Sequence, residues 1–115
     1  MVLLQRLIPR NIAVGMMMTG RMVSANEMAG YGLVNAVVPM ADLNAEVEAW
    51  VVDILAAAPL SLRAIKALVR ETPDMPVHEA FKRQTPELIL ALKSEDANEG
   101  VAAFREKRLP IWKGR

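Results

Sequence analysis

The chain has no cysteine and only one histidine, His78. The first absence excludes a disulfide framework, a thiolate nucleophile and a cysteine metal site in this segment. The second excludes a histidine-based triad or a histidine metal cluster. His78 sits beside Glu79 in the expected first turn of a helix and reads as a solvated side chain. Aromatic residues make up 4% of the sequence, against eight methionines. That balance points to an aliphatic, adaptable core of packed helices rather than a β-sandwich. Neither sign of charge dominates: fourteen basic and thirteen acidic residues leave a net +1, which offers no argument for nucleic acid or a membrane surface as partner. The apolar stretch within Met1 to Arg10 is too short and too soon broken by charge to be a secretory or spanning segment, and nothing later is long enough to cross a bilayer. A cytoplasmic setting fits these absences, and no metal ligand set is expected.

What is present is a chain of 115 residues, 53% of them hydrophobic, enough for one modest core and one folding unit. Its clearest local signals lie between Thr19 and Pro39. Gly20 can end a helix in the left-handed conformation. Ser24 and Glu27 form an S-x-x-E capping box that starts the next helix, and Gly32 ends it. Leu33 to Val38, apolar and rich in β-branched residues, is predicted as a short strand closed by Pro39. Before this block, Asn11 to Met18 is a short helical candidate carrying Gly15 inside it.

After it, Asp42 caps a predicted helix running to Ala57, with Leu43, Val47, Trp50, Val51, Ile54 and Leu55 on one face. Pro59 opens a further helix through Arg70, followed by the proline-punctuated loop Thr72 to Pro76. From Val77 to Lys93 the helical period is interrupted by Pro86, so a kink or break is expected near Arg83. Ser94 can cap the last helix, where Ala97, Val101 and Phe104 line up at i, i+4 and i+7. The tail from Leu109 reads as irregular. The whole is mainly α with one short β-strand.

Candidate chemistry is sparse. Gly30-Tyr31-Gly32 lacks the helix and spacing of a nucleotide-binding loop and reads as a helix-ending turn. Among carboxylates, Glu27 is explained by capping, Glu46 and Glu48 by the polar side of an amphipathic helix, and Glu95, Asp96 and Glu99 by a helix N-terminus that favours negative charge. Phe104 and Lys107, three residues apart on one predicted helix, share a face from which a ring and an ammonium could reach one ligand. The alternative is that Phe104 packs in a core and Lys107 is solvated. Arg105, Lys107, Arg108, Lys113 and Arg115 make the last eleven residues basic. With Trp112 the only aromatic beyond Phe104, no stacking platform for RNA is evident, and the tail reads as solvated and favourable to an anion.

The order T-G-R at Thr19 to Arg21, S-x-x-E at Ser24 to Glu27, Y-G-L-V-N at Tyr31 to Asn35, an apolar run and Pro39 resembles the enoyl-CoA hydratase/isomerase (crotonase) superfamily. A second block, Ser94-Glu95-Asp96-Ala97-Asn98-Glu99-Gly100-Val101-Ala102-Ala103-Phe104-Arg105-Glu106-Lys107-Arg108, resembles that family's S-E-D-x-x-E-G-x-x-A-F-x-E-K-R signature at its usual distance from the first. Ala58 to Lys66 is similar as well, so the likeness runs along nearly the whole chain.

The resemblance implies the C-terminal part of a crotonase-like α/β spiral fold. Residues 1–40 would be the end of its core and residues 41–115 a helical oligomerisation region that packs subunits into trimers or hexamers. It implies a coenzyme A thioester as substrate, with no permanently bound cofactor, and hydration of an enoyl-CoA as the simplest reaction. The family's oxyanion-hole loops and catalytic glutamates lie upstream of the matched segment. No residue here is therefore expected to be catalytic, the chain alone is expected to be inactive, and its partner is either other copies of itself or the missing N-terminal half. Phe104 and Lys107 match the phenylalanine and lysine that approach coenzyme A from a neighbouring subunit in the family, the lysine near its phosphates.

Overall fold

The structure, a computed structural model, describes residues 2–115. It forms two compact units, Met1–Ala49 and Trp50–Arg115, rather than the single folding unit that the length suggested. Among the described residues every regular element is helical, in the order Leu4–Leu7 (α1), Arg10–Thr19 (α2), Ala25–Gly30 (α3), a 3₁₀ turn at Met40–Asp42, Leu43–Leu55 (α4), Pro59–Glu71 (α5), Val77–Ala80 (α6), Pro86–Leu92 (α7) and Glu95–Glu106 (α8).

In the first unit, Ile8 and Ala13 are buried where α1 packs against α2. The α2 helix ends as its sequence requires. Gly20 adopts φ 63° and its N–H donates to the Met16 carbonyl at 2.9 Å, a conformation that costs a residue with a Cβ but not glycine. Ser24 then caps α3, its Oγ accepting the Glu27 N–H at 3.2 Å. Only this half of the capping box has its expected partner. The Glu27 carboxylate turns instead to Arg21 at 2.6 Å and to the Tyr31 hydroxyl at 3.3 Å. Gly32, at φ 78°, reverses the chain after α3 while the Leu33 N–H donates to Met28 and the Gly32 N–H to Ala29, both at 3.0 Å. This paired pattern satisfies carbonyls that the helix end would otherwise leave open.

The predicted strand is absent. Leu33 to Val38 is irregular, and Val34 and Val37 are exposed. A strand exists only as part of a ladder, and no other extended segment among the described residues offers one. The run is apolar, as its composition says, but without a partner strand among the described residues it takes no regular structure.

The α4 helix spans the division between the two units. Asp42 does not cap it as expected but lies in the preceding 3₁₀ turn, donating its N–H to the Pro39 carbonyl at 2.9 Å. The helix stops at Leu55, short of the expected Ala57. None of its residues is buried, and Leu43, Val47, Trp50, Ile54 and Leu55 all stand exposed. An amphipathic helix owes its stability mainly to a covered apolar face, and this chain leaves that face open.

The second unit is built on α5 against α7, with α8 touching α7. Leu60, Ala64 and Ala91 are buried together with Leu88 packed beside them, and the two alanines let the helix backbones approach closely. Pro59 opens α5 at a position where its missing N–H is no loss. The expected break in the following helix occurs early. The chain leaves α6 after Ala80, and Arg83 lies in the connection, its Nε donating to Glu71 at 2.9 Å. Thr85, 0% exposed, restarts the helix by accepting the Leu88 N–H at 3.1 Å, with Pro86 at the first position of α7. Ser94 caps α8 as predicted, accepting from the Ala97 N–H at 3.0 Å while donating to the Ala91 carbonyl at 2.7 Å.

Candidate functional site

The features that could meet a ligand gather around α8 and the tail that follows it. At the C-terminal end of α8, Phe104 is 86% exposed, so it does not pack in a core within this chain. Lys107 is not on the helix at all. The helix ends at Glu106, and Lys107 takes φ 54°, ψ 38°, the sole non-glycine residue at positive φ among those described. The expectation that Phe104 and Lys107 share a helical face is thereby corrected. The left-handed residue turns the chain off the helix end, with the Arg108 N–H reaching back to the Ala103 carbonyl at 3.1 Å. Lys107 is exposed and has no ion pair among the described residues. An unneutralised ammonium one residue past a helix end and an exposed ring one turn earlier form an amphipathic edge.

Phe104 also borders an open groove of about 630 Å³ shared with Ala58, Ala97, Val101, Arg105 and Trp112. Trp112 is held there by its indole N–H, which donates to the Ala56 carbonyl at 2.8 Å. Its ring lies over Gly100, where a Cβ would meet a ring carbon at 3.4 Å.

The basic tail is not freely solvated. Although it has no regular secondary structure, it is strapped along α8 by three carboxylates. Asp96, 2% exposed, accepts the N–H of Lys113 at 2.7 Å and of Gly114 at 2.8 Å. Glu99 accepts the Ile111 N–H at 2.8 Å and takes the Arg108 fork at 2.5 and 2.9 Å. Glu95 pairs with Lys113 at 2.9 Å and with Arg115 at 3.3 Å. Of the five tail cations, then, three are neutralised inside the chain, leaving Lys107 and Arg105 available to an outside anion. The helix-dipole reading of Glu95, Asp96 and Glu99 missed this tethering. Acids at 95, 96 and 99, no more than twenty residues before cations at 108, 113 and 115, were the available signal.

These contacts set the local electrostatics. The Arg108 guanidinium, then the Ile111 N–H, hold the Glu99 carboxyl down to about 2. Glu95 is lowered by its hydrogen bond to Lys113 and by the charges of Arg115 and Lys113. Arg108 is raised in turn by Glu99 and Glu106, and Arg21 by Glu27. Each of these carboxylates is committed to a cation, which suits a structural tie and not a proton shuttle. His78 is exposed, 3.7 Å from Glu79. Among the described residues no group of three or more His, Cys, Asp or Glu side chains could hold a metal ion, and no helix is long and apolar enough to cross a membrane.

Compared with known families, residues 1–115 match enoyl-CoA hydratase/isomerase from end to end. The chain belongs to that family. A carnitinyl-CoA dehydratase of Salmonella typhi is 40% identical over 116 residues, a match that takes in 97% of this chain and 44% of that protein. The carnitinyl-CoA dehydratase of Escherichia coli K12 shows the same identity and coverage. Among solved structures, an enoyl-CoA hydratase from Mycobacterium smegmatis superposes with a TM-score of 0.89 at 36% identity, covering 96% of this chain and 43% of that one. One from Mycobacterium tuberculosis H37Rv gives 0.88 at 31%, covering 97% and 44%. The chain thus spans under half the length of the enoyl-CoA hydratase/isomerase relatives it matches.

Proposed function

We propose that this chain is the C-terminal helical part of a cytoplasmic enzyme acting on acyl-CoA thioesters, most simply one that hydrates an enoyl-CoA. Its own contribution is binding and assembly rather than chemistry. The observation that carries this reading is the presentation of Phe104 and Lys107: an exposed ring and an unpaired ammonium projected from the end of α8, suited to an anionic cofactor that also carries an apolar base. In the complete enzyme, backbone amides outside this chain would polarise the thioester carbonyl and stabilise the oxyanion, and glutamates outside it would move protons. The carnitinyl-CoA dehydratases among its relatives make dehydration of a hydroxyacyl-CoA the neighbouring reaction, the same chemistry run in reverse.

A second reading, an assembly module for a trimer or hexamer or for a separate N-terminal half, is favoured by the uncovered apolar face of α4. The two readings are compatible if Phe104 and Lys107 serve a neighbouring subunit. The test is Lys107→Ala in the assembled enzyme, with crotonyl-CoA as substrate. A remote phosphate contact binds ground state and transition state alike, so KM should rise while kcat stays nearly unchanged. The loss should shrink with salt, because an exposed ion pair is screened over a Debye length of about 8 Å at physiological ionic strength. An unchanged KM at low salt would leave Lys107 as a solvated lysine and the ligand reading without support.

A further inference from the structure

We infer that Glu99, acting through the Arg108 guanidinium, is the positioning residue that holds Lys107 in its left-handed conformation and so aims its ammonium off the end of α8. The inference rests on the reading of Lys107 as a phosphate contact and adds the device that sets its direction.

A side chain at positive φ is disfavoured by contact between its Cβ and the following carbonyl. Such a conformation persists only where surrounding structure over-determines it. Here the residue next to Lys107 is locked from three sides. The Arg108 fork closes on both oxygens of Glu99, nine residues back on α8, its Nε reaches Glu106 at 2.6 Å, and its N–H bonds to Ala103. Glu99 also receives the Ile111 N–H, so one carboxylate fixes the chain on the far side of the reversal as well. With Arg108 and Ile111 both tied back to α8, the backbone leaving Glu106 must turn sharply, and Lys107 is where it does so. Glycine, which would make this turn without strain, carries no cation. A clamped lysine supplies the turn and the charge together.

Two measurements test this. In the 115-residue chain, the Cα chemical shift of Lys107 by NMR reports its backbone conformation in wild type, Glu99→Gln and Arg108→Lys. Glu99→Gln weakens the fork by removing its charge, and Arg108→Lys removes the second prong while keeping the charge. If one variant fails to fold, the other decides. Lys107 should leave the left-handed region in the folded variant, whereas an unchanged Lys107 shift would overturn the clamp.

In the assembled enzyme with crotonyl-CoA, Glu99→Gln should raise KM up to roughly fivefold, the scale of one partly exposed charge contact, at nearly constant kcat. It should add nothing further in a Lys107→Ala background. A KM rise that persists undiminished in that background would mean Glu99 acts elsewhere and overturn the positioning role. If Lys107→Ala itself leaves KM unchanged, it is the ligand reading that fails, and the NMR result still decides whether the clamp exists.

Discussion

Lys107 stands in a backbone conformation that its side chain opposes, and two substitutions separate backbone from charge. Lys107→Ala removes the ammonium and keeps a Cβ at positive φ, while Lys107→Gly removes both. Relief of about 1–2 kcal/mol of left-handed strain, partly offset by the greater unfolded-state freedom of glycine, should leave Lys107→Gly more stable than Lys107→Ala by roughly 0.5–1 kcal/mol, read from urea denaturation. Equal stabilities would mean the turn is not strained. The sequence marked Lys107 through its family signature, and only the structure reveals that it lies past the helix. Nothing in F-x-E-K-R announces a left-handed lysine, because the carboxylate proposed to clamp it through Arg108, Glu99, lies outside the motif, eight residues before Lys107.

Glu99 gives a second prediction at this scale. Its folded-state pKa is depressed, from the ordinary 4.5 to about 2. Its contribution to stability is therefore fully present above the ordinary carboxylate value and is lost as pH falls through that interval. Urea midpoints measured across this window should fall less steeply for Glu99→Gln than for wild type. Parallel slopes would show that the Arg108 fork does not persist in solution.

Among elements, those carrying their own stop and start signals were legible. Gly20, Ser24, Gly32, Pro59 and Ser94 mark ends that the structure uses, since a cap depends on a few neighbouring residues and little else. Thr85 went unnoticed because Pro86 suggested only a break, although a threonine before a proline-initiated turn is a cap as well. As the cap is fully buried, Thr85→Ala should cost toward the upper end of about 0.5–2 kcal/mol by urea denaturation. The elements that sequence misjudged depend on partners. The Leu33 to Val38 strand lacks a ladder, and the irregular tail reads as solvated in sequence because its anchors, backbone N–H groups and cations meeting carboxylates of α8, lie on another element. Asp96→Ala should accordingly speed hydrogen exchange at the Lys113 and Gly114 amides while leaving those of α5 protected. If those two amides stay protected in the variant, Asp96 does not hold the strap.

At the scale of the whole molecule, the uncovered surface is the dominant fact. Apolar side chains of α4, and Val101 and Phe104 on α8, are exposed, and large apolar side chains clustered on the surface of a helix mark a face that a partner covers. Sedimentation at micromolar concentration should therefore show self-association, or binding to an N-terminal segment of the proposed enzyme when one is supplied. A well-folded monomer would count against both.

The membership of the enoyl-CoA hydratase/isomerase family, together with coverage of under half of each relative, is the ground for the proposed division of labour: binding and assembly within these 115 residues, proton transfer outside them. Hydration of crotonyl-CoA by the pure chain, and by the chain supplied with the remainder of the enzyme, tests it most directly. The chain alone should show no turnover, and turnover should appear once the remainder is present. Hydration by the 115-residue chain alone, abolished by a substitution within it, would contradict it.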